Sequence, residues 1–341
     1  MEKNKRKNVS INDVAKLANL STATVSRVLN NKDNVSEETR RKIMLAAKEL
    51  GYVFNKTPLH GNKSPFILLS IPTSNELVYD SFITGVYDSV LRHNLVPVIM
   101  HSYKNREAEK RFYKIAIEEN FCGAILVSPK TSSEDITELA DAMPVVQCFD
   151  SVPIPNGTIV QMDDEKAAYE ATNYLITKGH RRIGLLKCDE SSSSRIRQAG
   201  YIKALNDAKL PIDNRIIFDV PYEFSKSRDS VLKAFDQIEL FDALLCVGTY
   251  MAYRVLWEAP QQNISIPNDL SIIGFDDIYL GEIFNPKLTI VVQNGYSIGY
   301  YAGISLINRQ ETDATHNVGI ISNINYKIVE RCSVKDVTGN K

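Results

Sequence analysis

No apolar run in this chain approaches the roughly 20 residues of a membrane-spanning helix, and the charged N-terminus leads into no signal-peptide core. A cytoplasmic protein without a membrane segment is expected. Cysteine is scarce: Cys122, Cys148, Cys188, Cys246 and Cys332 are odd in number, scattered and without metal-ligand spacing. They read as reduced, small apolar fillers, which argues against both a disulfide framework and zinc. His60, His93, His101, His180 and His316 show no metal spacing either, and neither a Gly-x-Ser-x-Gly turn nor a phosphate-cradling glycine loop occurs. The adjacent carboxylates Asp276 and Asp277 follow a strand-like run, where neighbouring side chains point in different directions, so they make a poor acid–base pair. No catalytic residue, metal or cofactor is expected.

What is present is an asymmetry of charge. The total is −1, yet residues 1–64 hold 13 Lys and Arg against 6 Asp and Glu, and the remainder 27 against 35. A basic head of about +7 therefore precedes an acidic body of about −8, the electrostatic footprint of a segment that meets nucleic acid phosphates. At 341 residues the chain is too long for one compact domain and suits two or three.

The head carries its own pattern. Ser10 with Asp13 forms a capping box, and Ile11, Val14, Ala15, Leu17 and Ala18 recur at helical spacing. Asn19-Leu20-Ser21 supplies a turn: Asn tolerates the left-handed conformation, Leu20 plugs the angle between helices, and Ser21 caps a second helix over about 22–29. That helix buries Val25, Val28 and Leu29 and leaves Thr22, Ala23, Ser26 and Arg27 outside, small groups and a cation suited to base edges and phosphates. A third helix spans roughly Glu37 to Leu50, with Gly51 as its stop. Beyond it, residues 55–65 are polar and rich in breakers, hence a linker.

Asp13-Val14-Ala15, Ser21-x-x-Thr-Val-Ser-Arg-Val-Leu-Asn30, Val35-Ser36-x-x-Thr-Arg40 and Leu50-Gly-Tyr52 together resemble the headpiece of the lactose-repressor (LacI/GalR) family of bacterial transcriptional regulators. The resemblance implies DNA contacts from Ser21, Thr22, Ala23, Ser26, Arg27 and Asn30. It also implies a hinge helix that drives a leucine wedge into the minor groove. Here the chain departs from the family: Pro58 stands where Ala is usual and Gly61 where the wedge Leu belongs, which leaves Leu59 as an out-of-register substitute.

From Pro65 on, short β-rich runs alternate with amphipathic stretches. The runs are Phe66–Ile71, Val96–Met100, Ala124–Val127, Val145–Val146, Ile183–Leu186, Ala243–Val247 and Ser271–Phe275; the helical stretches lie at about 81–92, 107–119, 166–178, 195–208, 227–237 and 251–258. This rhythm predicts parallel sheets with crossover helices, enough for two doubly wound α/β lobes, with ligands at strand C-terminal ends in the cleft between them. The same region resembles the family's periplasmic-binding-protein-like core through Gly179-His180-Arg181-Arg182-Ile183-Gly184, Arg197-Gln198-Ala199-Gly200-Tyr201, Ile266 to Asp277, Pro286-x-Leu288-Thr289 and Arg331-x-Ser333. The expected organisation is an all-α helix-turn-helix domain at 1–54, a linker at 55–64, and an effector-binding and dimerisation domain at 65–341. Within the last, lobe 1 takes about 65–162 and 294–323, lobe 2 about 163–293 and 324–341.

Carried over position by position, the resemblance implies ligand contacts from Asp150, Arg197 and Asp276, with Tyr222 as an aromatic platform. Sugars suit this set, because their hydroxyls both donate to carboxylates and accept from a guanidinium. Two departures stand against it. Gly248-Thr249 replaces the usual Asn-Asp, and Gly295 sits where a bulky apolar residue can line the pocket. The reading is a ligand-responsive repressor, a homodimer on a near-palindromic operator, with a carbohydrate effector. Two alternatives stay open: a ligand-independent or corepressor-dependent regulator of the same fold and, more distantly, a solute-binding protein.

Overall fold

The computed structural model describes residues 11–29, 37–50, 63–73, 77–188, 191–276, 280–311 and 319–339. It divides into two compact units at Pro65.

The first unit is built from α1 (Ile11–Ala18), α2 (Thr22–Leu29) and α3 (Glu37–Leu50). Its core is small: Val14 and Ala15 of α1, Val25 and Val28 of α2, and Ile43, Ala46 and Ala47 of α3 are buried together, with Leu20 packed against them. Asn19 adopts the left-handed conformation at φ 55°, and the Leu20 amide bonds back to the Ala15 carbonyl at 3.0 Å, so the chain leaves α1 and re-enters α2 within three residues. Ser10, Asn30 and the linker at 55–62, with Pro58, Leu59 and Gly61, lie outside the described residues.

The second unit runs β1 (Phe66–Ile71), α4 (Leu77–Val90), β2 (Val96–His101), α5 (Arg106–Glu118), β3 (Gly123–Val127), α6 (Ser133–Ala142), β4 (Val145–Cys148), β5 (Thr158–Met162), α7 (Asp164–Thr177), β6 (Ile183–Lys187), α8 (Ser192–Asp207), β7 (Ile217–Asp219), α9 (Arg228–Phe235), β8 (Ala243–Cys246), α10 (Thr249–Glu258), β9 (Ser271–Phe275), β10 (Thr289–Gln293), α11 (Gly295–Glu311), β11 (Ile320–Ile324) and β12 (Tyr326–Val329). These strands form two six-stranded sheets, ordered β11-β5-β4-β3-β1-β2 in lobe 1 and β12-β10-β9-β8-β6-β7 in lobe 2. All pairings are parallel except β10 with β12, which run antiparallel with Val291 opposite Ile328. The expectation of purely parallel lobes is corrected at that edge. The chain passes between the sheets after β5, after β10 and after β11.

Helices cover both faces of each sheet, which is why the central strands read as near-continuous apolar runs. In β1, Leu69 faces α4 and α11 while its neighbour Leu68 faces α5 and α6. In β8, Leu245 faces α7 and α8 while Leu244 faces α9 and α10. Each such leucine, fully buried, contributes about 1.5–3 kcal/mol of transfer free energy. Parallel strands also bring their C-terminal ends to one edge of each sheet, and there the loops carry the polar groups.

Candidate DNA-binding face and interlobe cleft

In the headpiece, Ser21 acts first as a cap. Its Oγ accepts the Thr24 amide at 3.1 Å and pairs with Thr24 Oγ1 at 2.8 Å, satisfying a donor that the first turn of α2 leaves open. Ser21 and Thr22 are exposed at the start of that helix. Ala23, Ser26 and Arg27 lie on its backbone, but their side chains fall outside the described residues, as do Asn30 and Leu59 entirely.

In the second unit, a cavity of about 320 Å³ lies between the lobes, and Asp150, Arg197, Tyr222 and Asp276 all line it. Asp150 follows β4; Asp276 follows β9. The loops that deliver these groups are conformationally costly. Lys104, Ser128, Phe149 and Asp276 line the cavity with φ of 59°, 45°, 63° and 80°, the left-handed region that non-glycine residues enter only when surrounding structure forces them.

Arg197 organises the lobe 2 side. It is 5% exposed and donates four hydrogen bonds within the protein: Nε to Asp164 Oδ1 at 2.7 Å, Nη1 to the Val247 carbonyl at 2.6 Å, and Nη1 and Nη2 to the two Asp276 oxygens at 3.2 and 3.0 Å. The guanidinium lies 4.3 Å from the centre of the Phe275 ring. Burial works against its charge, but Asp276 and Asp164 outweigh that and hold its pKa above the ordinary guanidinium value. One cation facing two buried carboxylates leaves an excess negative charge. It falls on Asp164, which has only the Nε bond: burial, reinforced by Asp276 and Asp150, pushes its pKa up to about 6 against the pull of Arg197. These charges need no ligand to be paired, since the protein pairs them itself.

Asp164 is a site residue that sequence reasoning missed, as are Lys104, Ser128 and Gln293. In the run Asp163-Asp164-Glu165 it reads as an ordinary acid at a helix start, the role Asp163 in fact fills by accepting the Lys166 amide at 3.0 Å. Lobe 1 answers across the cleft. Asp150 Oδ1 accepts the Ser193 amide in the first turn of α8 at 2.7 Å, and Lys104 Nζ sits 4.9 Å from the centre of the Tyr222 ring.

The two departures take different places in the structure. At Gly248 a Cβ would stand in ordinary contact with Tyr222 Cε2, at 3.4 Å, and Thr249 turns its hydroxyl to the Phe275 carbonyl at 2.7 Å. Gly295 is away from the pocket: it opens α11 against α4, where a Cβ would meet Ser81 Oγ at 2.5 Å and the Val78 carbonyl at 2.6 Å. Gln293, two residues earlier, is the one that lines the cavity. Of the cysteines, Cys122, Cys148, Cys188 and Cys246 are buried fillers, while Cys332 is exposed, a correction to its assignment. Among the described residues no helix is long and apolar enough to cross a membrane.

Comparison with known proteins accords with this geometry. Residues 10–55 match the family described as bacterial regulatory proteins, lacI family, and residues 172–334 match a periplasmic binding protein-like domain. The chain is 32% identical over 340 residues to the HTH-type transcriptional regulator RegA of Clostridium acetobutylicum, covering 96% of this chain and 99% of that one. The chain belongs to the LacI family. It is likewise 30% identical over 306 residues to the HTH-type transcriptional repressor CytR of Escherichia coli, covering 89% and 90% of the two chains. Among solved structures it resembles the Lac repressor dimer bound to operator and the anti-inducer ONPF, with a TM-score of 0.76, 21% identity and 96% and 100% coverage. The transcriptional regulator CelR in complex with cellobiose gives 0.71, 23%, 95% and 99%. This LacI-family member is thus a DNA-binding transcriptional regulator on a periplasmic-binding-protein-like core, and not an enzyme.

Proposed function

We propose that this regulator is a repressor that binds a near-palindromic operator as a homodimer, and that a sugar or sugar derivative in the interlobe cleft modulates that binding. Ser21, Thr22, Ala23, Ser26, Arg27 and Asn30 read the operator, with Leu59 at the linker. Asp150, Arg197, Asp276 and Tyr222 hold the effector. The observation that carries the effector reading is the convergence of Asp150 from lobe 1 and of Asp276 with Arg197 from lobe 2 on one cavity. Carboxylates already anchored by protein donors keep further lone pairs for ligand hydroxyls. A ligand bridging them would change the relative position of the lobes, a coupling of typically 1–3 kcal/mol.

The internal pairing of Arg197 and the Asp150–Ser193 bond favour one rival, a regulator whose cleft needs no ligand. Operator binding titrated with candidate sugars decides between them. The wild type should respond to at least one, and Asp150→Asn, which alters one oxygen of the lobe 1 contact, should shift the response at least tenfold in ligand concentration with apo operator affinity within a few fold. No response of the wild type to any sugar would favour the rival.

A further inference from the structure

We infer that the effector is a two-ring glycoside, a hydroxyl-bearing ring joined to a second, uncharged ring with an apolar face, and that the second ring occupies an aromatic outer chamber. This rests on the cleft being the effector site. The outer chamber, about 460 Å³, shares Pro72, Lys104 and Tyr222 with the inner cavity, so one molecule can span both. Its walls change in character. The inner cavity sets Tyr79, Phe149 and Tyr222 beside three aspartates and Arg197, whereas the outer one has Tyr103, Tyr222, Phe224 and Tyr250 with Glu223 as its carboxylate.

Tyr222 and Tyr250 are packed in part against the lobe 2 core, while Tyr103 and Phe224 are exposed. Tyr103 is 75% exposed, and it and Lys104 are consecutive left-handed residues at φ 51° and 59°, a costly turn that places both on the chamber wall. Tyr222 and Phe224 meet Tyr250 at interplanar angles of 88° and 62°, edge-to-face contacts that tie the three rings into one wall. The wall also has a fixed foundation. Arg254 lies 3.7 Å from the centre of the Phe224 ring, donates to the Phe224 carbonyl at 2.5 Å and pairs with buried Glu258 at 2.9 Å. A platform held in place before binding spends little conformational entropy on the ligand. The charged groups lining the chamber are one cation, Lys104, and one anion, Glu223, so the wall carries no net charge to call for one on the second ring. A pyranose with an apolar face and a flat aromatic group share the required chemistry.

The test is calorimetric titration of the full-length protein with monosaccharides, their phenyl glycosides, the corresponding disaccharides and nucleosides. For the sugar that binds, a two-ring form should bind about tenfold tighter than the single ring, and the disaccharide and aromatic arms identify which kind of second ring fits. Tyr103→Ala, at an exposed position, should erase most of that ratio and leave single-ring affinity unchanged. Phe224→Leu, which keeps an apolar side chain over Arg254, should reduce it in the same sense. Equal affinity for one-ring and two-ring forms, or a ratio untouched in both variants, overturns the inference while leaving the cleft as effector site. Binding of no sugar in any form overturns both.

Discussion

In lobe 1, helices α4 and α11 touch backbone to backbone. A Cβ added at Gly85 would stand 2.1 Å from the Tyr296 carbonyl, one at Gly299 2.0 Å from the Phe82 carbonyl, and one at Gly303 1.9 Å from Ser89 Oγ. In lobe 2, α7 and α8 make a comparable contact with one glycine, Gly200, whose Cβ would lie 2.1 Å from the Glu165 carbonyl. The two lobes share a packing device and use it differently. The α4–α11 contact supports the apolar side of the cleft, Val78 and Tyr79. The α7–α8 contact sits one residue beyond Asp164 and three beyond Arg197, so the approach permitted by Gly200 is what brings the guanidinium to the carboxylate. Lobe 1 also buries a carboxylate, Glu109, but satisfies it with neutral donors: the Lys130 and Thr131 amides at 2.8 and 3.0 Å and Ser102 Oγ at 3.2 Å. Charge pairing belongs to lobe 2 and amide capture to lobe 1.

The largest effect should follow from breaking that pairing. Arg197→Leu leaves Asp164 and Asp276 buried without their cation, a loss of about 3–5 kcal/mol. Glu109→Gln keeps an oxygen acceptor in lobe 1 and should cost about 1 kcal/mol. Urea unfolding at pH 7 measures both; comparable losses in the two variants would dissolve the contrast between the lobes.

Next come the glycines. Gly200→Ala and Gly299→Ala should each cost about 1–3 kcal/mol, because the opposing atom is backbone and cannot rotate away. They should part company in the cleft. Gly200→Ala moves Arg197 relative to Asp164 and should weaken effector binding about tenfold or more, whereas Gly299→Ala should leave affinity within a few fold in whatever fraction remains folded. Equal effects on binding would mean that the α7–α8 contact does not position the site.

Where the sequence is legible follows from the same physics. The interior strands β1 and β9 are readable to the residue, because strands buried on both faces must be apolar throughout. Helix α11 is not readable: Gly295, Gly299, Gly303 and its tyrosines lower helix propensity, and only contact with α4 makes them the right choice. Helix α6 hides for a different reason, since Ile136 and Leu139 are its only buried residues within an acidic stretch. The edge strand β11 is mostly exposed and carries no core pattern. At the site, Asp150, Arg197, Tyr222 and Asp276 are recoverable as members of an ordered family pattern, and all four line one cavity. Asp164 is not, because its meaning depends on the helix crossing at Gly200, and a crossing leaves no periodic trace in sequence. Gly179-His180 shows a further motif gaining its reason only in three dimensions. Gly179 is left-handed at φ 96°, and the ring of His180 bridges Asp242, at 2.8 Å, and the Lys335 carbonyl, at 3.2 Å, pinning the C-terminal segment to lobe 2.

The comparison can also be sharpened through pH. Asp164 in the folded protein holds its proton up to about pH 6, whereas its ordinary carboxylate value is 3.8. Between about pH 4 and 6 the folded state therefore binds more protons than the unfolded state, so this group's contribution to stability is full below pH 4 and declines as pH rises through 6. Asp164→Asn mimics the protonated carboxyl at every pH and removes that slope. The stability of wild type relative to Asp164→Asn should then fall across this window and level off on either side, in urea unfolding followed from about pH 3 to 8. Glu109 is also pushed up by burial, but its amide and hydroxyl partners pull the other way, and no second carboxylate competes with it for a cation. The matching difference for Glu109→Gln should fall in the same direction and by less. A flat difference for Asp164→Asn would mean that Arg197 neutralises both of its carboxylates, and lobe 2 would then carry no excess charge for an effector or a proton to relieve.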